Sequence, residues 1–204
     1  MSDQIEDVLR YGLADDSRAA GSWLRFLVEA GRIDDAQRAW DWAAEREYAD
    51  NNLAGEYVEF LIRQGRPDLA TYAWSRHLGK RPCDYRTSNY LFNGGFESEP
   101  TLSPFDWNQA HFQGAEVTRD RTTIRPGSYS LRVNFGGTNN LDCAAASQAA
   151  FVMPGHYRFH AFIRTEGLTT DQGIRFRVSD AEAPVRLDTI FGQFTGTKPL
   201  STMW

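Results

Sequence analysis

Within HYRFHAFIRTE, the alternating residues Arg158, His160, Phe162 and Arg164 set an aromatic ring among planar hydrogen-bonding groups. A sugar ligand requires that make-up, an apolar face for C–H stacking bordered by groups that pair with hydroxyls. Arg132 and Asn134 in SYSLRVNF, and Arg175 and Arg177 in GIRFRVSD, extend the row if their strands are neighbours. Phe162 carries the most information, because a large apolar group among charges marks an interface, either with a ligand or with a covering segment. His156 and His160 share a face on a strand but lie about 13 Å apart, so they are not expected to hold one zinc ion. The chain has no G-x-S-x-G, H-E-x-x-H, phosphate loop or dinucleotide fingerprint. No acidic pair stands in a recognisable glycosidase setting, and a non-catalytic role is expected.

The elements that position these residues follow from composition and period. With 204 residues, 41% hydrophobic and 24% charged, the chain can form one large or two small globular domains. A net charge of −5 leaves no basic stripe to neutralise phosphates, so nucleic acid is not an expected partner. No run of about 18 apolar residues occurs, and the start MSDQIEDVLRYGLADD lacks a positive segment followed by an apolar one. Neither a transmembrane segment nor an export signal is therefore expected in this chain. Cys83 and Cys143 lack metal-ligand or C-x-x-C spacing and read as unpaired structural thiols.

Up to about Pro82 the apolar residues fall at helical spacing, and after about Ser88 they alternate by two. The reading is α plus β in separate domains: a helical domain over 1–82, a linker over 83–88 and a β-rich domain over 89–204. The helical half repeats itself. WLRFLVEAGRIDDAQRAW (23–40) aligns with YVEFLIRQGRPDLATYAW (57–74), matching Phe26 with Phe60, Gly31-Arg32 with Gly65-Arg66, and Ala39-Trp40 with Ala73-Trp74. In each copy a glycine suits a left-handed helix end, and an aspartate, Asp34 or Asp68, opens the next helix. Ala36, Ala39 and Ala43 allow close helix approach, while Trp23, Trp40 and Trp74 read as core. A further helix is expected near 3–13. The 34-residue period and these matched positions resemble the tetratricopeptide repeat family over about 17–82, although Leu24, Val58, Tyr48 and His77 depart from its usual pattern. The resemblance implies protein–protein contact or scaffolding.

In the second half, Tyr129, Leu131, Val133 and Phe135 alternate with polar residues, as do Tyr157, Phe159, Ala161 and Ile163, and then Ile174, Phe176 and Val178. Turn signals at Arg125-Pro126-Gly127, Gly136-Gly137 and Met153-Pro154-Gly155 separate the runs, giving an antiparallel β-sandwich or jelly roll. The ordered set NGGFE, PFDW, PGSYSLRV and SQAAFVMPGHYRFHAFIRTEG resembles a carbohydrate-binding-module jelly roll of the family 4/9/22 group, with a galactose-binding-like fold, over about 89–204. The closing strands of that family have no counterpart after GTKPLSTMW, so a truncated chain, or one completed by a partner, is expected.

This resemblance implies a polysaccharide ligand and a structural calcium at Glu97, with Asp106 as a second ligand; no cofactor is required. A calcium ion takes six to eight oxygens, and the family's distal carboxylates are absent, so Glu97 also reads as a carboxylate that caps its loop by accepting backbone hydrogen bonds. Trp107 reads as a plug beneath the loop or, alternatively, as a stacking platform in the ligand site. Repeats followed by a jelly roll also resemble bacterial envelope or exopolysaccharide-associated proteins. The leading expectation is a non-enzymatic protein with repeats for protein contact and a jelly roll for a glycan. The alternative is a purely structural interaction module whose jelly roll binds no sugar.

Overall fold

The computed structural model describes residues 7–13, 16–79, 85–86, 89–101, 103–125, 127–137 and 141–203. Most of the expected linker at 83–88, Cys83, and the first residues of the helix expected near 3–13 lie outside them. Among the described residues an N-terminal helical half is followed by antiparallel strands in small sheets, which is the α plus β organisation expected. The chain divides into two compact units, Met1–Phe151 and Val152–Trp204.

In the first unit a short π-helical turn, α1 (Val8–Gly12), precedes four α-helices: α2 (Ser17–Glu29), α3 (Ile33–Glu45), α4 (Asn51–Arg63) and α5 (Pro67–Leu78). Ser17 to Asn51 and Ile33 to Pro67 both step by 34 residues, so the sequence repeat is a structural repeat. The ends of the helices repeat as well. Asp16 accepts hydrogen bonds from the N–H groups of Arg18 and Ala19, and Asp50, 34 residues later, accepts one from Leu53. Gly31 and Gly65, at φ 67° and 69°, close α2 and α4 in Schellman motifs. In these, Arg32 N–H donates to Leu27 O and Arg66 N–H donates to Leu61 O. α3 ends in the same geometry with Glu47 at φ 58°: Glu47 N–H reaches Ala44 O, and Tyr48 N–H reaches Ala43 O.

Small residues set the helix spacing and large ones fill the gaps. Ala20, Ala36, Ala39, Ala54, Ala70 and Ala73 are buried, as are the departures Leu24 and Val58. α2 packs on α3, α4 on α5, and each hairpin on the next. Trp40 stacks on Tyr57 with ring centres 4.9 Å apart, which seats the second hairpin against the first. Trp40 and Trp74 are fully buried, and Trp23 is half-buried. Beyond α5 the core continues, among the described residues, without a further helix. Phe92 packs edge-on to Trp74 at 5.6 Å, and Phe92 and Phe105 belong to the same buried cluster as the helices. The strands of this unit are β1 (Asn108–Gln109) paired with β4 (Ala146–Ser147), and β2 (Ala115–Asp120) paired with β3 (Ser130–Phe135).

In the second unit β5 (Ala161–Leu168) pairs with β8 (Gly196–Met203), and β6 (Ile174–Ser179) pairs with β7 (Asp188–Phe194), both antiparallel. Phe159, Phe176, Phe191 and Phe194 form its aromatic centre, with Phe159 lying 5.1 Å from Phe176 and 5.4 Å from Phe191. The expected inward alternation holds for Phe159, Ala161, Ile163, Ile174 and Phe176 and fails at two places. Tyr157 is exposed, because its hydroxyl turns back to donate to Met153 O at 2.5 Å and closes the Pro154-Gly155 turn. Val178, near the end of its ladder, is exposed too.

Glu47 holds an L-residue in a conformation that costs roughly 1–2 kcal/mol. Glu47→Gly should therefore raise stability by about 0.5–1 kcal/mol, whereas Gly65→Ala should lower it by about 1 kcal/mol or more. Thermal unfolding followed by far-UV circular dichroism gives both signs.

Candidate functional site

The segment Asn93–Trp107 is built on backbone that needs outside support. Asn93 and Phe96 both have positive φ, at 51° and 58°, in a region L-residues seldom occupy. Asn93 offsets this through its side-chain amide, which donates to Ser98 O at 2.9 Å and accepts from Ser98 N–H at 3.0 Å. Trp107 lies beneath the turn, its ring 5.0 Å from Phe96 and its indole N–H donating to Asn93 O at 3.0 Å. That is the plug geometry. Asp106 is fully buried, one oxygen accepting from Thr101 N–H at 2.8 Å and the other from Trp107 N–H at 2.7 Å.

Arg119 locks the turn from β2. Its guanidinium donates to Phe96 O at 2.8 Å and Glu97 O at 2.9 Å, pairs with Glu99, and lies 3.8 Å from the centre of the Tyr129 ring. The carboxylate of Glu97 accepts from Ser128 N–H at 2.9 and 3.0 Å and from Tyr129 N–H at 3.2 Å. Two charged side chains thus tie the turn to the loop before β3, each through the other segment's backbone or ring. Gly127 sits between them at φ +135°, a conformation that strains any L-residue, and a Cβ there would run into the Glu97 carboxylate. Arg119 has a signal in the sequence, a cation at the inward phase of the alternation Ala115, Val117, Arg119. Its partners Phe96, Glu97, Glu99 and Tyr129 lie ten to twenty-three residues away and have none.

These contacts bear on the calcium expected at Glu97 and Asp106. The oxygens of both carboxylates accept hydrogen bonds from backbone N–H groups, which already compensate their charge. Among the described residues no group of three or more His, Cys, Asp or Glu side chains converges. The donor set fits loop clamping and does not amount to the six to eight oxygens of a calcium site.

The row proposed for a ligand is divided between the two units. Arg132 and Asn134 are exposed on β3, opposite Thr118 and Glu116 of β2, and belong with Trp107 to the first unit. The neighbouring strand of β3 in its ladder is β2. A groove of about 300 Å³ lies along the same hairpin, lined by residues that include His111, Phe112, Glu116 and Thr118. Sequence alternation did not single it out, because it is lined jointly by 110–112 and by the start of β2 across the intervening turn.

Arg158, His160, Phe162 and Arg164 lie together in the second unit. Exposure alternates through the segment: these four and Glu166 are exposed, whereas Phe159, Ala161 and Ile163 are half-buried and Thr165 is buried. Phe162 is 43% exposed, with the His160 ring edge-on at 4.5 Å. Arg164 pairs with Glu166 at 3.2 Å. Arg175 and Arg177 are exposed on β6, where Arg177 forms a two-pronged pair with Asp188 at 2.7 and 2.8 Å. His156 is exposed before β5. Cys143 is a free, exposed thiol. Among the described residues no helix is long and apolar enough to cross a membrane.

Comparisons with protein-family models, with curated proteins and with solved structures find no match to this chain.

Gly127→Ala should cost at least about 2 kcal/mol by displacing Glu97 and straining the backbone. In a Glu97→Ala background the same change should cost clearly less, which a double-mutant cycle of unfolding free energies measures. A clamp that needs no metal further predicts the same melting temperature with calcium as with EDTA.

Proposed function

We propose that this protein is a non-catalytic, two-part binding protein. Its tetratricopeptide-like hairpins serve protein contact or scaffolding, and its β-rich half, read as a carbohydrate-binding-like jelly roll, presents the Phe162 face to a polysaccharide. The observation that carries the ligand half is Phe162 itself: a half-exposed ring braced edge-on by His160 and bracketed by exposed Arg158 and Arg164. Such a ring stacks on a pyranose, and the guanidiniums reach its oxygens. For the repeats, support comes from the matched caps and the 34-residue structural step, which make a rigid modular platform.

A second reading, a structural module without sugar binding, is favoured by one observation. Phe92 and Phe105 are committed to the helical core, so part of the β-rich half completes the repeat platform.

Affinity electrophoresis of the full chain through gels cast with plant and bacterial polysaccharides separates the two. Retardation is expected on at least one polymer. Phe162→Ala should weaken it about tenfold, equivalent to roughly 1.4 kcal/mol, without lowering the melting temperature. No retardation on any polymer would favour the structural module.

A further inference from the structure

The two hairpins bury their first helices unequally. In α4, Leu53, Tyr57 and Phe60 all lie in the core, and Tyr57 stacks on Trp40 of the hairpin before it. The residues 34 positions earlier are Ala19, Trp23 and Phe26 of α2, and among the described residues only the short turn α1 precedes that helix. Trp23 stacks on Phe26 with ring centres 5.3 Å apart, yet Phe26 is 51% exposed where Phe60 is 3% exposed. Ala19 and Trp23 are half-buried, and Ala30, at the position of Gln64 in the second hairpin, is exposed. Spaced by four, three and four residues, Ala19, Trp23, Phe26 and Ala30 form one apolar stripe along α2.

We infer that this stripe is the interface of a two-fold dimer, in which α2 packs antiparallel on α2 of a second copy of the chain. This rests on reading the repeats as a protein-contact platform and names the partner. Continuity with the interface inside the chain argues that a helix takes the stripe, because the equivalent residues of α4 are already buried in the packing of one hairpin on the next. A second copy does not supply that helix head to tail, since the other end of the array, at Trp74, is covered by Phe92. The two open ends therefore meet head to head. The stripe has the symmetry such a contact demands, in which residue i meets j and j meets i. Ala19 and Ala30 lie equally far along the chain from the midpoint between Trp23 and Phe26. Antiparallel pairing about that midpoint sets each Trp23 against the other copy's Phe26 and each Ala19 against the other copy's Ala30, so small residues flank an aromatic centre. Arg18 and Glu29, both exposed beside the stripe, are centred within one residue of the same point, and each Arg18 falls beside the other copy's Glu29.

Sedimentation equilibrium of the full chain between about 10 and 500 μM tests this, under reducing conditions so that the exposed Cys143 forms no intermolecular disulfide. A monomer–dimer equilibrium is expected, with a dissociation constant of roughly 10–100 μM as suits a small helix–helix contact. Phe26→Glu should raise that constant at least about a hundredfold, because it sets two carboxylates into an apolar contact, and should leave the circular dichroism spectrum unchanged. Arg18→Glu and Glu29→Arg should each weaken association several-fold and in combination restore it, since the exchanged charges meet again across antiparallel helices. A monomer throughout would overturn the inference and leave the protein-contact reading to a different partner. A dimer that Phe26→Glu does not dissociate would overturn it by placing the contact on another face. A double variant no tighter than the single ones would overturn the antiparallel pairing on which it rests.

Discussion

The first unit depends on how its last helix is covered. A helical repeat array leaves an apolar face on its final helix, and α5 offers Trp74 there, fully buried although no third hairpin succeeds it among the described residues. Phe92 takes that position. In the interior of the array, Tyr57 covers Trp40 of the hairpin before it; 34 residues after Tyr57 the chain has reached Leu91 and Phe92, and Phe92 meets Trp74. The repeat phase thus runs one aromatic contact beyond the last helix. Past Phe92 the chain must leave the core abruptly, and the positive φ of Asn93 and Phe96 makes the turn.

That turn is stable because its strain is met by long-range partners. Arg119 satisfies two of its carbonyls and Glu97 reaches back to the N–H groups of Ser128 and Tyr129, so turn, β2 and the start of β3 fix one another. The carboxylate that looks like a metal ligand in the sequence serves the fold here. The second unit is built differently. Its only buried residue among those described is Thr165, whose hydroxyl donates to Gly196 O at 3.0 Å across a register shift, and its apolar residues are half-buried or exposed. Side chains on such a thin scaffold stay exposed, Phe162, Arg158 and Arg164 among them.

The sequence made periodic features legible. Gly31 and Gly65, Trp40 and Trp74, and the alternation through β3, β5 and β6 can be read because each is a local pattern with a known physical cause. The Asp16 and Asp50 caps obey the same period but precede the window in which the repeat is visible, and Glu47 carries no mark of the left-handed position it occupies. Long-range pairing was not legible. Alternation placed Arg132 and Arg158 on outward faces correctly, yet gave no sign that they belong to different units, because strand order is set by contacts that period does not encode. The Arg119–Glu97 clamp is hidden for the same reason: it joins segments more than twenty residues apart, and only its inward phase is visible locally.

Backbone amide NMR of the labelled full chain, titrated with oligosaccharides of the polymer that retards it most, tests the central claim that the Phe162 face binds a glycan. The account predicts saturable shifts clustered at residues 158–166, with the helices unmoved. Shifts centred on the helical hairpins or on the β2–β3 hairpin, or no shifts at all, would contradict it.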